Sequence, residues 1–137
     1  MRAKPVSQQR SQQKRDRILS AMETLLRRKE FAEISVTELA EKAKVSPATI
    51  YQRFSNVDAT ASVLLELYYA SVEDWASRPS RSGITDSTPL YEALVAIASD
   101  AWSQVNELGH VIRPAYLYSR QRPDRVGPEW LRLQKVA

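Results

Sequence analysis

Hydrophobic residues recur along the first part of the chain with the spacing of an amphipathic helix. From about Lys14 to Lys29, apolar residues fall at i, i+1, i+4, i+7 and i+8, namely Ile18, Leu19, Met22, Leu25 and Leu26. Residues 1–13, MRAKPVSQQRSQQ, have no apolar period and are rich in Gln and Ser. We therefore expect residues 1–13 to form a flexible basic arm in front of the first helix.

Two short helices are predicted next, separated by a turn of about three residues. The sequence SVTE at 35–38 fits a capping box, in which Ser35 accepts from the Glu38 amide and the Glu38 carboxylate accepts from the Ser35 amide. Ser46 and Pro47 start the following helix, because proline at the first helical position loses no hydrogen bond. Helix, tight turn and helix is the arrangement of a helix-turn-helix.

The second half of the sequence also has helical spacing. Asp58 is the predicted N-cap of a fourth helix that runs to about Ser77, and residues 78–87, RPSRSGITDS, read as a linker. Thr88 and Pro89 begin a further helix, which we expect to end before Gly109.

Beyond that helix, prolines divide the remaining sequence. Pro114, Pro123 and Pro128 predict one or two short helices, with a final one starting at Gly127 and Pro128. No alternating strand pattern occurs, so the predicted fold is all-α. The predicted organisation is an arm (1–13), a three-helix helix-turn-helix domain (14–57) and a helical domain (58–137).

Composition narrows the function classes. The 137 residues include no cysteine and one histidine, His110, which excludes thiol catalysis and makes a histidine metal site improbable. We expect no cofactor and no metal, and the lack of a long apolar stretch predicts a soluble, cytoplasmic protein. Residues 1–57 carry 12 Lys and Arg against 6 Asp and Glu, whereas residues 58–137 carry 8 against 10. The basic first part is typical of a segment that binds a polyanion.

The third helix has more polar side chains than a purely buried helix needs. Ile50 and Phe54 are its two large apolar anchors. The residues at its start, Ser46, Pro47 and Ala48, have small side chains. Its other face presents Thr49, Tyr51, Gln52 and Arg53. A helix of this kind fits the major groove of DNA, where glutamine can pair with adenine and alanine can pack on a thymine methyl group.

Other residues of this segment are suited to phosphate oxygens. Thr37, Thr49 and Tyr51 carry hydroxyl groups that can position the module on the DNA backbone. The free amides at the start of the second helix, from Ser35 to Thr37, would also attract a phosphate.

The segment SVTELAEKAKVSPATIYQRFSN resembles the N-terminal domain of TetR-type (tetracycline-repressor-like) transcriptional regulators. The residues that carry the resemblance are Leu39, Ala40, Ala43, Val45, Ser46, Thr49, Ile50, Tyr51 and Phe54, and the similarity extends over about residues 14–75. Two positions depart from the family pattern. Lys44 replaces the usual turn glycine and could touch phosphate. Val57 replaces a lysine that commonly contacts DNA, and Asn56 or the basic arm could substitute for it.

The resemblance implies a repressor that binds a palindromic double-stranded DNA operator as a homodimer and is released by a small-molecule effector. The remaining helices would then form a ligand-binding and dimerisation domain, linked to the DNA by the fourth helix. Aromatic residues are the candidates for the ligand pocket: Tyr68, Trp75, Trp102, His110 and Tyr116. Family members usually continue through two further long helices, so we expect the chain, which stops in mid-period at LRLQKVA, to be a truncated form.

Two other function classes were weighed. A helix-turn-helix that has lost DNA binding and contacts a protein is favoured by Val57, which lacks the expected charge. A small helical enzyme would need a cysteine, a histidine pair, a glycine-rich phosphate loop or a convincing carboxylate pair, and the sequence offers none of these.

Overall fold

The computed structural model describes residues 5–54, 58–77 and 83–125, and over these ranges it contains five α-helices and no strand. The helices are α1 (Val6–Leu26), α2 (Val36–Ala43), α3 (Pro47–Arg53), α4 (Ala59–Ser77) and α5 (Leu90–Gln121). Short 3₁₀ turns lie at Phe31–Glu33 and Pro123–Arg125. The predicted all-α class, with a helix-turn-helix near the N-terminus, is confirmed.

One hydrophobic core joins all five helices. The largest fully buried side chains come from every helix: Ile18 and Met22 of α1, Leu39 of α2, Ile50 of α3, Val63 and Leu64 of α4, and Val111 of α5. The apolar face predicted for the first helix is the face of α1 that enters this core. The sequence period therefore located the interior of the molecule correctly.

Helix α1 begins earlier than the sequence suggested. Residues 6–13, which we expected to be part of a flexible arm, continue α1 back to Val6, and residues 1–4 lie outside the described residues. Glutamine and arginine are good helix formers, so a helix fixed by its buried residues can extend through them without an apolar period. The side chains of residues 6–14 are exposed.

Helix α4 starts where its capping residue predicts. The Asp58 carboxylate accepts hydrogen bonds from the Ala61 amide at 3.2 Å and from the Thr60 hydroxyl at 2.9 Å. Residues 55–57, which include Asn56 and Val57, and the linker residues 78–82 lie outside the described residues.

Helix α5 is longer than predicted. It runs without a break through Gly109 and Pro114, both of which we expected to interrupt it. Val111 and Ala115 are fully buried on either side of the chain position that should break the helix, so packing in the core outweighs the local cost of proline. The predicted final helix at Gly127 and Pro128 lies outside the described residues.

Polar and aromatic contacts tie the helices together around this core. Arg15 of α1 pairs with Glu66 of α4, and Glu23 of α1 lies 3.3 Å from the His110 ring of α5. The Trp75 indole N–H donates to Asp100 at 3.2 Å, joining α4 to α5. Phe31 and Tyr118 meet edge to face, with ring centroids 6.2 Å apart.

Candidate nucleic-acid interface

The turn between α2 and α3 is closed by a residue in the left-handed conformation. Lys44 has φ 57° and ψ 45°, and it is the only non-glycine residue with positive φ in the described part of the chain. The Lys44 amide donates to the Glu41 carbonyl at 3.2 Å and the Val45 amide to the Ala40 carbonyl at 3.1 Å. These bonds form a Schellman motif, which turns the chain sharply toward α3. The side chain of Lys44 is exposed.

Helix α3 starts at the predicted capping residue. The Ser46 hydroxyl accepts from the Thr49 amide at 3.2 Å and lies 2.9 Å from the Thr49 hydroxyl, and Pro47 occupies the first helical position. Ile50 is fully buried and Phe54 is 5% exposed, so these two residues hold α3 against the rest of the domain. Local capping therefore fixes the start of the helix, and burial of Ile50 and Phe54 fixes its orientation.

The opposite face of α3 is open to solvent. Ser46, Pro47, Ala48, Tyr51 and Gln52 are exposed, and Thr49 is half-buried. Tyr51 leaves 56% of its surface in water, whereas Phe54 at the end of the same helix is 5% exposed. An exposed aromatic residue beside small and amide side chains is suited to contact with a partner surface.

Arg53 has a different neighbour from the one expected of a DNA contact. Its guanidinium donates to the backbone carbonyl and to the hydroxyl of Ser11 in α1. The contact fastens the extension of α1 to the C-terminal end of α3. Arg10 and Lys14, which are exposed on that extension, are thereby held on the same structural unit as α3.

The start of α2 presents a second polar site. Ser35 caps the helix by accepting from the Glu38 amide at 3.1 Å, as predicted. The Glu38 carboxylate instead lies 2.7 Å from the Lys29 ammonium, so the second bond of the expected capping box is replaced by an ion pair to α1's C-terminal flank. Thr37 is exposed, and its hydroxyl has no hydrogen-bond partner among the described residues.

The five candidate ligand residues do not converge on one pocket. Trp102 and Tyr116 are 69% and 51% exposed on α5. Trp75 is engaged with Asp100, and Tyr68 is half-buried beside Tyr69 with ring centroids 5.9 Å apart.

Burial raises the pKa of the Tyr68 hydroxyl above its usual value, so this group is neutral at physiological pH. The spacing of the candidate aromatic residues therefore reflects their positions on separate helix faces and does not indicate a shared pocket.

His110 alone among those five lines a groove, of about 840 Å³, between the end of α1 and the second half of α5. The sequence reading missed the other residues that line it, which include Lys29, Phe31, Arg113, Tyr118, Arg122 and Arg125. Their signal was a helical spacing from Gly109 through Arg113 to Leu117 and Gln121. This spacing was not recognised because the predicted helix ended before Gly109.

Other kinds of site find little support. The described residues contain no group of three or more His, Asp or Glu side chains that could hold a metal ion. No helix within the described ranges is both long enough and apolar enough to cross a membrane.

Comparison with known proteins bears on the N-terminal domain. Residues 18–59, from the buried face of α1 to the first residue of α4, match the family model described as bacterial regulatory proteins, tetR family. No curated protein and no solved structure matches the chain significantly. The matched segment contains the capped turn and the open face of α3, and it assigns this domain to DNA-binding transcriptional regulation. Over these residues, the chain is similar to the N-terminal DNA-binding domain of the tetR family of bacterial regulatory proteins.

Proposed function

We propose that this chain is a sequence-specific transcriptional repressor that is released from its operator by a small-molecule effector. The observation that carries the proposal is the open face of α3, a helix pinned from behind by Ile50 and Phe54. A major groove admits one α-helix, whose N-terminal residues reach the base edges. The N-terminal end of this face has small side chains, and Gln52 provides a side-chain amide one turn further along.

The residues of this face and the neighbouring residues of α2 and the turn have two roles. Gln52 reads an adenine through its two hydrogen bonds, and Ala48 packs on a thymine methyl group. Tyr51, Thr37 and the ammonium of Lys44 contact phosphate and position the helix. The Thr49 hydroxyl also has capacity for phosphate, since it can accept from Ser46 and donate its own proton outward.

The extension of α1 supplies further positive charge. Val57 stands where family members usually carry a lysine. Arg10 and Lys14 on the extension compensate for that loss, because Arg53 holds this segment against α3. Contacts of this kind contribute affinity with no sequence preference.

A homodimer on a palindromic operator forms the second part of the proposal. Support comes from α5, which exposes a run of large apolar residues in its first half: Leu90, Tyr91, Leu94, Val95, Ile97 and Trp102. Apolar surface of this extent favours a protein partner, and a second copy places two α3 helices at a fixed spacing. The effector would change that spacing through α4, which Arg15 and Glu66 connect to α1.

Selection from a random pool of duplexes tests this function directly. We expect enrichment of a palindrome, which would reveal both the operator and the dimer. Enrichment of a single half-site would support the DNA contact and contradict the dimer. The absence of any enriched sequence would contradict the repressor.

The alternative, a helix-turn-helix that binds a protein, predicts a different response to salt. Phosphate contacts require duplex affinity to fall steeply between 50 and 200 mM salt, by roughly 10³-fold for six contacts. A protein-binding module would show no salt-dependent duplex binding. The exposed Tyr51 suits both partners, so the salt titration separates them.

A further inference from the structure

The groove between α1 and α5 has an apolar floor. It lies at the junction of the N-terminal domain with α5, and its apolar lining, called the floor below, comes from Leu26, Phe31, Val105, Leu117 and Tyr118. The volume of about 840 Å³ is that of a site for a small organic molecule. The contact between Phe31 and Tyr118 fixes the two walls relative to each other.

The rim of the groove is cationic. Arg113, Arg122 and Arg125 line it, and none of the three has an ion-pair partner among the described residues. Asp124, which is exposed on the same turn, makes no ion pair with them within that part of the chain. Lys29 also lines the rim but is already paired with Glu38.

The two carboxylates that line the groove are occupied elsewhere. Asp58 caps α4 through the Ala61 amide and the Thr60 hydroxyl. The Glu30 side chain accepts from the Glu33 amide in a capping box of the 3₁₀ turn. These two carboxylates keep their charge, but the three arginines outnumber them and make no ion pair within the described part of the chain. The arginines can therefore attract an anion beside the apolar floor, and arginine pairs with carboxylate in a bidentate geometry.

We propose that this groove binds an amphipathic organic acid, with its aryl or alkyl body on the floor and its anionic group at the arginines. Residues 126–137 follow directly from the rim and are the competing occupant. Their charges are one Glu against Arg132 and Lys135, so these side chains do not complement a cationic rim. A small organic acid, in contrast, has an apolar body that can contact the floor and an anionic group that can pair with the arginines of the rim.

The position of the groove connects such a ligand to DNA binding. Among its lining residues, Leu26 and Asp58 belong to the end of α1 and the cap of α4, and others, such as His110 and Leu117, belong to α5. A bound acid would hold α5 against the helix-turn-helix unit and fix the first turn of α4. This step rests on the proposed repressor function, whereas ligand binding itself does not.

Two fluorescent probes test the site in the full chain without DNA. The probes are 1-anilinonaphthalene-8-sulfonate, an aryl acid, and N-phenyl-1-naphthylamine, which has the same rings without the charge. We expect the double variant Arg113→Gln/Arg125→Gln to bind the sulfonate about tenfold more weakly, through loss of charge-assisted hydrogen bonds. The uncharged probe should bind the variant and the wild type equally.

The matched control is Arg120→Gln, an exposed arginine of α5 that does not line the groove. It should leave sulfonate affinity unchanged. Equal losses in Arg120→Gln and in the double variant would overturn the proposal, because they would reflect general charge. An equal loss for the uncharged probe would also overturn it.

The apolar floor has its own matched pair of variants. Leu117→Gln places a polar group on the floor and should weaken both probes, whereas Leu94→Gln alters another exposed leucine of α5, 56% against 46% exposed, outside the groove. If Leu94→Gln weakens both probes more than Leu117→Gln, the probes bind the open face of α5 and the proposal fails. If Trp130→Ala/Leu131→Ser strengthens sulfonate binding tenfold, the chain's own residues occupy the groove and the proposal is contradicted.

These fluorescence titrations contain no DNA, so failure of the repressor function would leave their result unchanged. Loss of the probe site would leave the duplex selection unchanged in turn. The two proposals therefore fail separately.

Discussion

Lys44 adopts a left-handed backbone conformation, which is unfavourable for a residue other than glycine. Its φ of 57° is costly for a residue with a Cβ atom by about 1 kcal/mol or more, yet the turn into α3 depends on it. The two backbone hydrogen bonds of the Schellman motif hold the residue there. The exposed ammonium group lies beside the start of α3 and is available to a phosphate.

Lys44→Gly should therefore stabilise the domain. We expect the free energy of unfolding to rise by about 0.5–1 kcal/mol, because glycine adopts positive φ without strain. Urea denaturation followed by circular dichroism measures the change. Lys42→Gly is the matched control within α2, where it should lower stability by about 1 kcal/mol. A loss of stability in both variants would contradict the strain at Lys44.

Gln52→Ala should change sequence preference rather than fold. The exposed amide of Gln52 has no structural partner among the described residues, so its removal should leave the circular dichroism spectrum unchanged. We expect duplex affinity to fall by about 1–3 kcal/mol and discrimination to relax at one base pair. Binding to duplexes that differ at single positions measures this, with Gln104→Ala of α5 as the control. An equal loss on every duplex would assign Gln52 to phosphate.

The sequence correctly predicted hydrogen bonds between residues that are close together in the chain. The caps at Ser35 and Ser46 depend on an amide three residues away, and both were predicted correctly. The Glu38 carboxylate was assigned to the wrong partner, because Lys29 reaches it from another element. A contact of that kind depends on the packing of α1 against α2, which local pattern does not encode.

Among the helices, the extension of α1 is the element that most changes the expected interface. Residues 6–13 are ordered into α1, and Arg53 fastens that segment to α3 through Ser11. The predicted flexible arm thereby becomes a rigid carrier of positive charge. Its exposed residues Arg10 and Lys14 can contact the DNA backbone with less loss of conformational freedom.

Arg53→Ala should release this extension without unfolding α3. We expect the amides of residues 8–14 to exchange with deuterium roughly fivefold faster, which corresponds to about 1 kcal/mol of lost local stability. Mass spectrometry of peptic peptides measures the exchange, and Arg120→Ala serves as a control on α5. Unchanged exchange in Arg53→Ala would show that this contact does not hold the extension.

Pro114→Ala tests the continuity of α5. Proline inside a helix costs roughly 3 kcal/mol relative to alanine, because one backbone hydrogen bond is lost. If α5 runs through this position, the substitution should raise the free energy of unfolding by about 1–3 kcal/mol. Pro123→Ala, in the 3₁₀ turn beyond α5, should change it little. A negligible effect of Pro114→Ala would support the break that the sequence suggested.

The two errors in helix length have a common physical cause. Local propensity placed the start of α1 at Lys14 and the end of α5 before Gly109. Both helices continue because their ends are carried by a buried portion, which in α5 includes Val111 and Ala115. Burial of those residues depends on the other helices, so it could not be recognised from a single segment.

In the molecule as a whole, charge and packing separate two surfaces. Residues 1–57 are basic and include the open face of α3, whereas the described part of α5 exposes apolar residues. Between them, Glu23 with His110 and Arg15 with Glu66 link α1 to α5 and to α4. Under the proposed function, these contacts are the route by which a change at the groove or at α5 would reach the helix-turn-helix unit.

The groove could not be predicted from the sequence. Its lining comes from the end of α1, a 3₁₀ turn and the second half of α5, which are separated by some 80 residues in the chain. The face of α3 was predicted more fully, because all its residues lie within one short helix. Arg53 is the exception there, since its partner Ser11 comes from α1.

The affinity of Tyr51→Ala for the selected duplex measures whether the exposed face of α3 binds DNA. Fluorescence anisotropy should show a loss of about 1–3 kcal/mol on every duplex, because Tyr51 contacts phosphate. Tyr91→Ala is the matched control, since Tyr91 is 78% exposed on α5. It should bind as the wild type does. Unchanged affinity in Tyr51→Ala, with an intact circular dichroism spectrum, would contradict the assignment of α3 as the DNA-binding helix.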